Sequence, residues 1–378
     1  MTNYKVAIIG CGPLGVTNFF DQSLPFTYSF VGATIKTGNQ LAALVDVNAE
    51  ALHSAKKTLE KNGSVVPAFT DWRTMFDQIN PDIICVAAGP KVNVEVIPEA
   101  IGRKVKGIYC EKPLALSLEA NDRLAELEKQ NQATKIQVNY ARNYETFHKA
   151  TLDFVKNGGI GNLQTIRTTY NGGVLAVFPH TTALLQKLFD GVKSVSGIYS
   201  PITNISTADD PNIDGTIKYY FAPQDRDVNV QVLATGRGKE ENNTYIYELE
   251  FTGSKGRITI LENGFRVRYE EMRLSRIFAS SGQTHPYETT HLPLELKADH
   301  PREFMIDGMY SLINAIETGK DTDCNLRCAL AAEEVAHALA LSAAQQGQIV
   351  HLPLEDRAHA FANARAGVNV LREQAGLR

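Results

Sequence analysis

The chain has 378 residues, more than one hydrophobic core usually holds, since cores stop growing at roughly 250–300 residues, so two domains are expected. It is 43% hydrophobic and 21% charged, and its net charge of -4 leaves no basic footprint, which argues against nucleic acid as a partner. No apolar run approaches the ~20 residues of a membrane span, the start MTNYKVAIIG does not resemble a signal peptide, and five scattered cysteines suit a reducing cytoplasm, so neither a membrane nor a disulfide framework is expected.

Up to about residue 140 two periods alternate. Apolar, strand-like runs are KVAIIG (5–10), LAALVD (41–46), DIICVAA (82–88), GIYCE (107–111) and KIQVNY (135–140). Between them lie the helix-like stretches AEALHSAKKTLEK, DWRTMFDQI, VNVEVIPEAIGR and SLEANDRLAELEKQ, the last with Ser117 as its N-cap. Wholly apolar strands separated by amphipathic helices predict βαβ units and a parallel sheet covered on both faces. The helix-like TFHKATLDFVKNG then ends at Gly158-Gly159, and strand-like runs dominate from 163 to 271, with Asn263-Gly264 reading as a hairpin turn. They predict a mostly antiparallel sheet. Residues 272–300 read as irregular, 301–318 and 325–346 as helices with Gly319 stopping the first, and the last stretch as a helical tail.

Three motifs carry chemistry. GCGPLG, from Gly10 through Cys11, Gly12, Pro13 and Leu14 to Gly15, follows a strand and opens a helix. That pattern needs a tight turn at Gly10, close approach of backbone to a phosphate at Gly12, and close helix–strand packing at Gly15, with first-turn amides facing a pyrophosphate. Asp46 ends the second long run, where a carboxylate accepts hydrogen bonds from adenosine ribose hydroxyls and repels a 2′-phosphate, favouring NAD over NADP. The spacing from the glycines exceeds the usual ~20 residues, and the excess, VTNFFDQSLPFTYSFVGATIKTG, reads as an elaborated loop. Ala88 ends the DIICVAA run beside the same crevice. YCEKPLALSLEAN places Glu111 and Lys112 at the end of the fifth strand, ahead of Pro113, which restricts the lysine's backbone. Ligands of doubly wound sheets bind outside the carboxyl ends of the strands. Lys112 there would donate to a substrate hydroxyl or carbonyl, with a pKa lowered by partial burial. A surface ion pair is the plainer alternative.

Glycine motif, strand-end acid and E-K-P together resemble the glucose-fructose oxidoreductase/inositol dehydrogenase/rhizopine catabolism (Gfo/Idh/MocA) family, and VNYARNY, GGIGNLQTI, YELEFTGSKGRITI and CALAAEEVAHALALSAAQQG extend the resemblance over nearly the whole chain. It implies an α/β Rossmann dinucleotide-binding domain followed by an α+β domain on a largely antiparallel open β-sheet. The expected boundaries are 1–144 for the first, 145–350 for substrate binding and oligomerisation, and 351–378 for the tail. It also implies that His180, in HTTALLQKLF, takes the proton of a sugar hydroxyl while the nicotinamide takes the hydride. The family's acids before and after that histidine are Ala176 and Ala183 here, the loop glycine is Phe178, and the usual proline-then-histidine after the fourth strand offers only Asn93. Asn139 is expected to face the site and Tyr140 to line it, with packing an equal alternative for each. Tyr170 is core or reaches substrate.

These features predict an NAD(H)-dependent oxidoreductase of a sugar, nucleotide-sugar or cyclitol, in a homodimer or homotetramer. The alternatives are a non-catalytic NAD(P)-binding sensor, consistent with the alanines at 176 and 183, and an NADP-dependent reductase. Cys324 and Cys328 read as helix packing, and no histidine spacing supports a metal site.

Overall fold

The structure, a computed structural model, describes residues 3–20, 27–202, 206–235, 247–261, 264, 266–273, 288–292 and 303–362. The chain divides into two compact units, Met1–Glu145 with Ala298–Leu330, and Thr146–Lys297 with Ala331–Arg378.

The first unit opens with β1 (Lys5–Ile9), α1 (Phe30–Lys36), β2 (Gln40–Val45), α2 (Ala49–Lys61), β3 (Ala68–Phe69) and α3 (Trp72–Ile79). It continues with β4 (Ile83–Val86), α4 (Pro90–Gly102), β5 (Gly107–Cys110), α5 (Leu118–Gln130) and β6 (Lys135–Val138). The strands form one sheet in the order β3-β2-β1-β4-β5-β6, every pair parallel. The chain order reverses between β1 and β4, so the crevice beyond their carboxyl ends is the switch point where such sheets hold ligands. β4 and β5 are buried along their whole length, which is why their sequences are continuous apolar runs rather than alternating ones. Helix starts are set locally: Asn48 Oδ1 accepts the Glu50 and Ala51 amides, Asp71 Oδ2 that of Thr74, and Ser117 Oγ that of Ala120.

The second unit contains α6 (Thr146–Lys156), β7 (Leu163–Tyr170), α7 (Pro179–Leu185), β8 (Val192–Tyr199), β9 (Ile213–Phe221) and β10 (Arg226–Ala234). Next come β11 (Glu248–Gly253), β12 (Gly256–Leu261), β13 (Arg266–Arg273) and β14 (Glu288–Leu292). The chain then returns to the first unit for α8 (Phe304–Thr318), and α9 (Leu326–Ala344), which enters the second unit at Ala331, leads to β15 (Val350–His351). The second sheet runs β14-β13-β12-β11-β7-β10-β9-β8-β15; β7 and β10 pair parallel and the other neighbours antiparallel.

Four expectations are corrected. The glycine motif does not run straight into a long helix. A helical turn begins at Gly12, a 3-10 segment covers Thr17–Phe20, and the crossover helix α1 starts at Phe30, inside the stretch expected to be a loop. The reason is packing: Phe30, Val31 and Ala33 are buried, and Phe30 meets Tyr109 edge-on at 4.7 Å. The domain expected over 145–350 loses 298–330 to the first unit, because α8 lies on β5, β6 and α1, and a side chain at Gly107 would run into Leu312 and Ile316. β14 falls in the stretch 272–300 that was expected to be irregular, held by its ladder with β13. Residues 352–362 contain no helix although a helical tail was expected from 351; 363–378 lie outside the described residues, as does Asn263 of the expected hairpin turn. Among the described residues no helix is long and apolar enough to cross a membrane.

Candidate functional site

In the first unit the glycine loop leaves β1 at the sheet's carboxyl edge. Gly10 has φ of 101°, and a Cβ there would lie 2.5 Å from the Ala87 carbonyl oxygen; a Cβ on Gly15 would lie 1.9 Å from the Gly10 carbonyl oxygen. At Gly12 a Cβ would meet nothing within 4 Å, so that side of the loop is open. The three glycines thus divide as the motif requires: two for chain-on-chain contact, one facing space a phosphate could occupy. Val16 donates to Gly12 and Asn18 to Pro13, so the amides of Gly12, Leu14 and Gly15 are those of a first helical turn. Ala88 is exposed at the end of β4, its amide close to the position a Gly10 Cβ would take.

Asp46, half-buried just beyond β2, accepts the Cys11 amide on Oδ2 and the Asn48 amide on Oδ1, both at 2.8 Å. Its carboxylate is therefore fixed between the glycine loop and the start of α2, with lone pairs left for ribose hydroxyls. The longer spacing does not displace it, because Phe30–Lys36 of the extra stretch fold as α1. Cys11 is buried, and burial, reinforced by the Asp46 charge, pushes its thiol up to about 12. It contributes its backbone to this corner.

The E-K-P turn follows β5, where the Glu111 amide still bonds Val86 at 2.8 Å. Glu111 is buried, Lys112 half-buried, and the Lys112–Pro113 peptide is cis. Asn93, fully buried in the first turn of α4, donates from Nδ2 to the carbonyls of Glu111 at 2.9 Å and Pro113 at 3.1 Å. Burial raises the Glu111 carboxyl above the usual carboxylate range; the Lys112 ammonium and the Asn139 amide pull the other way. Asn139 donates to Glu111 Oε1 and accepts from Tyr144 and, at 3.2 Å, from Tyr109, whose hydroxyls lie 2.9 Å apart. Asn139 was expected to face the site. At 5% exposure it is instead engaged on both ends in a buried chain that holds Glu111. Tyr140, expected to line the site, is fully buried. Tyr109 was missed as a polar participant because a tyrosine in an apolar run reads as core, and Tyr144 because it lies beyond the last strand-like run, in a stretch with no periodicity.

In the second unit His180 is half-buried in the first turn of α7, its amide bonded to Val177 at 3.1 Å. Ala176 and Ala183 are buried. An acid does reach this loop from elsewhere: Asp210, fully buried, accepts the amides of Leu175 on Oδ1 and Ala176 on Oδ2, each at 2.8 Å. Asn212 Oδ1 accepts the Gly173 amide at 3.0 Å, and a Cβ on Gly173 would strike the Asp210 carboxylate. The segment that carries His180 is thereby pinned by its backbone. The signal was ADDPNIDG, an acid ahead of a proline at a strand start, which reads as an ordinary turn. Tyr170 does not reach outward: 1% exposed, its hydroxyl accepts the Ile213 amide at 2.7 Å and donates to the Ile213 carbonyl at 3.0 Å. It belongs to the sheet. Lys112 lies in the first unit and His180 in the second.

Comparison with known proteins agrees with this geometry. Residues 4–140 match the model of the oxidoreductase family with an NAD-binding Rossmann fold. Inositol 2-dehydrogenase of Salmonella paratyphi B is 22% identical over 267 residues, 67% of this chain and 72% of that protein. Among solved structures, an oxidoreductase from Agrobacterium radiobacter in complex with NAD+, L-tartaric acid and magnesium superposes with a TM-score of 0.67 at 17% identity, covering 93% of this chain and 98% of that one. A myo-inositol dehydrogenase from Corynebacterium glutamicum gives a TM-score of 0.63 at 16% identity, covering 93% and 99%. At such identities the structural likeness establishes the shared fold.

Proposed function

We propose, from the match of residues 4–140 to the oxidoreductase family with an NAD-binding Rossmann fold, that the chain is a Gfo/Idh/MocA-type oxidoreductase and oxidises, reversibly, a secondary hydroxyl of a sugar, nucleotide-sugar or cyclitol. The observation that carries the cofactor half is the fixed Asp46 carboxylate beside an open Gly12. The residues present fit a dinucleotide: first-turn amides of Gly12, Leu14 and Gly15 for the pyrophosphate, with Cys11 and Pro13 shaping the loop, Asp46 for the ribose, Ala88 and Glu111 along the crevice. When bound, NAD supplies the hydride acceptor. Lys112 donates a hydrogen bond to the reacting oxygen and stabilises charge developing on it. His180 removes the hydroxyl proton; its imidazole can do this near neutral pH without an acid at 176 or 183. Cyclitol oxidation by the Salmonella relative supports the substrate class.

A cytoplasmic location and a homodimer or homotetramer complete the proposal. Self-association is supported by β10, which alternates exposed and buried residues and so turns one face of the sheet to solvent. Light scattering of the purified protein tests it, and a monomer would refute it.

The activity test uses NAD+ and NADP+ with a panel of cyclitols, aldoses and nucleotide-sugars, read as reduced-cofactor absorbance. Turnover with NAD+ is expected, with Lys112→Ala and His180→Ala each lowering kcat by about 10²–10⁴-fold. Cofactor binding without turnover of any polyol would favour a sensor. Wild-type rates in both variants would remove the assigned roles.

A further inference from the structure

We propose that Asn93 is a positioning residue for Lys112: its side-chain amide, bonded to the carbonyls on either side of the lysine, fixes the backbone from which the ammonium projects. This rests on the role given to Lys112 under the proposed function. The chemistry of the clamp is specific. Beyond Cys110 the chain leaves the β5 ladder, and the carbonyls of Glu111 and Pro113 need donors. Both partners are acceptors, so the amide nitrogen must face them, and a primary amide has two N–H groups to give. A hydroxyl side chain has a single hydrogen to donate and a neutral imidazole a single N–H, so neither could bond both carbonyls at once.

The mount is rigid as well as specific. Asn93 is fully buried, and its own amide bonds the Gly89 carbonyl at 3.1 Å in the first turn of α4. Gly89, with φ of 86°, caps that helix directly after the β4 strand end that carries Ala88. Beyond the turn Leu114 and Ala115 are fully buried, and before it Cys110 is too. Lys112 is thus the half-buried residue of a turn anchored at both ends and clamped across its middle. An apolar residue at 93 would strand two carbonyls, and the turn would reorganise to find donors. A displacement of about 1 Å at a reacting group costs on the order of 10²-fold in rate.

The test compares wild type with Asn93→Ala and the isosteric Asn93→Asp. Expected for Asn93→Ala is a kcat lowered by about 10²-fold, with affinity for NADH, read by fluorescence, within about threefold of wild type. For Asn93→Asp the same loss relative to wild type is expected at about pH 8, where a carboxylate faces two carbonyls, and a several-fold recovery of the variant-to-wild-type kcat ratio, each pair measured at the same pH, towards about pH 5.5, where its protonated form can donate to one of them. Merely structural packing would not give that pH-dependent rescue. If Asn93→Ala fails to fold, the isosteric variant decides. A kcat within about threefold of wild type in the folded variants, at all pH values, overturns the proposal. Should wild type turn over no polyol, the functional proposal fails separately. The clamp is then read by NMR of 13C-methylated lysines, with the Lys112 signal identified by its loss in Lys112→Arg. A changed Lys112 titration in Asn93→Asp supports the clamp, and an unchanged one overturns it.

Discussion

Removing the hydroxyl of Tyr170 separates a sheet residue from a substrate ligand. In Tyr170→Phe the ring stays against Phe178, whose centroid lies 4.9 Å away, so packing is retained and the hydroxyl alone is lost. That hydroxyl accepts the Ile213 amide at 2.7 Å and donates to the Ile213 carbonyl at 3.0 Å, and both residues are essentially buried. Stranding a buried backbone donor or acceptor costs about 1–3 kcal/mol, so the pair should cost about 2–4 kcal/mol after partial relaxation. In urea, with a slope of about 2–3 kcal/mol per molar, the midpoint should fall by roughly 1 M. Far-UV circular dichroism is the assay, since it reports the nine-stranded sheet in which both residues lie. KM for polyol should stay near the wild-type value. An unchanged midpoint, or a raised KM with unchanged stability, would refute the assignment of Tyr170 to the sheet.

Other outcomes follow from the same structure. Gly15→Ala should abolish NADH binding, or folding of the first unit, because the new Cβ would lie 1.9 Å from the Gly10 carbonyl oxygen; fluorescence titration and circular dichroism check it. Cys11, pushed up to about 12 by burial and by Asp46, should resist alkylation near neutral pH, while half-buried Cys328 reacts first, as peptide mapping would show. His337, buried with its Nδ1 2.7 Å from that of His359, is held down to about 3 by burial and by the neighbouring His359 and Arg357. Its folded-state value is depressed, so its contribution to stability is complete above the unfolded value near 6.5 and is lost as pH falls from there towards about 3. Stability should therefore drop by about 1.4 kcal/mol per pH unit below about pH 6.5 from this residue. His337→Leu should flatten that slope in acid urea titrations; an unchanged slope would refute it.

Local chemistry made much of this protein legible. Continuous apolar runs alternating with amphipathic helices read as strands buried on both faces, so the parallel sheet was evident, although the two-residue β3 is too short to leave a pattern. Gly10 and Gly15 were readable because a backbone contact admits no other residue, and Asp46 because its strand-end position is itself local. α1 was not readable: its seven residues carry few polar positions, since the helix is buried on most of its surface, and amphipathic periodicity vanishes there.

The sequence by itself determined the alternation of the long apolar strands with amphipathic helices in the first sheet, the glycine loop after β1 and the charged turn after β5, because each depends on residues adjacent in the chain. Only the tertiary structure decided that α8 returns to the first sheet, that Asp210 supplies its carboxylate to the backbone of Ala176, that Asn139 holds Glu111, and that Asn93 brackets Lys112. Each of these joins a buried polar group, or an apolar helix face, to a partner far along the chain. Burial obliges such a group to find a partner but does not say which one, and no local period records the choice.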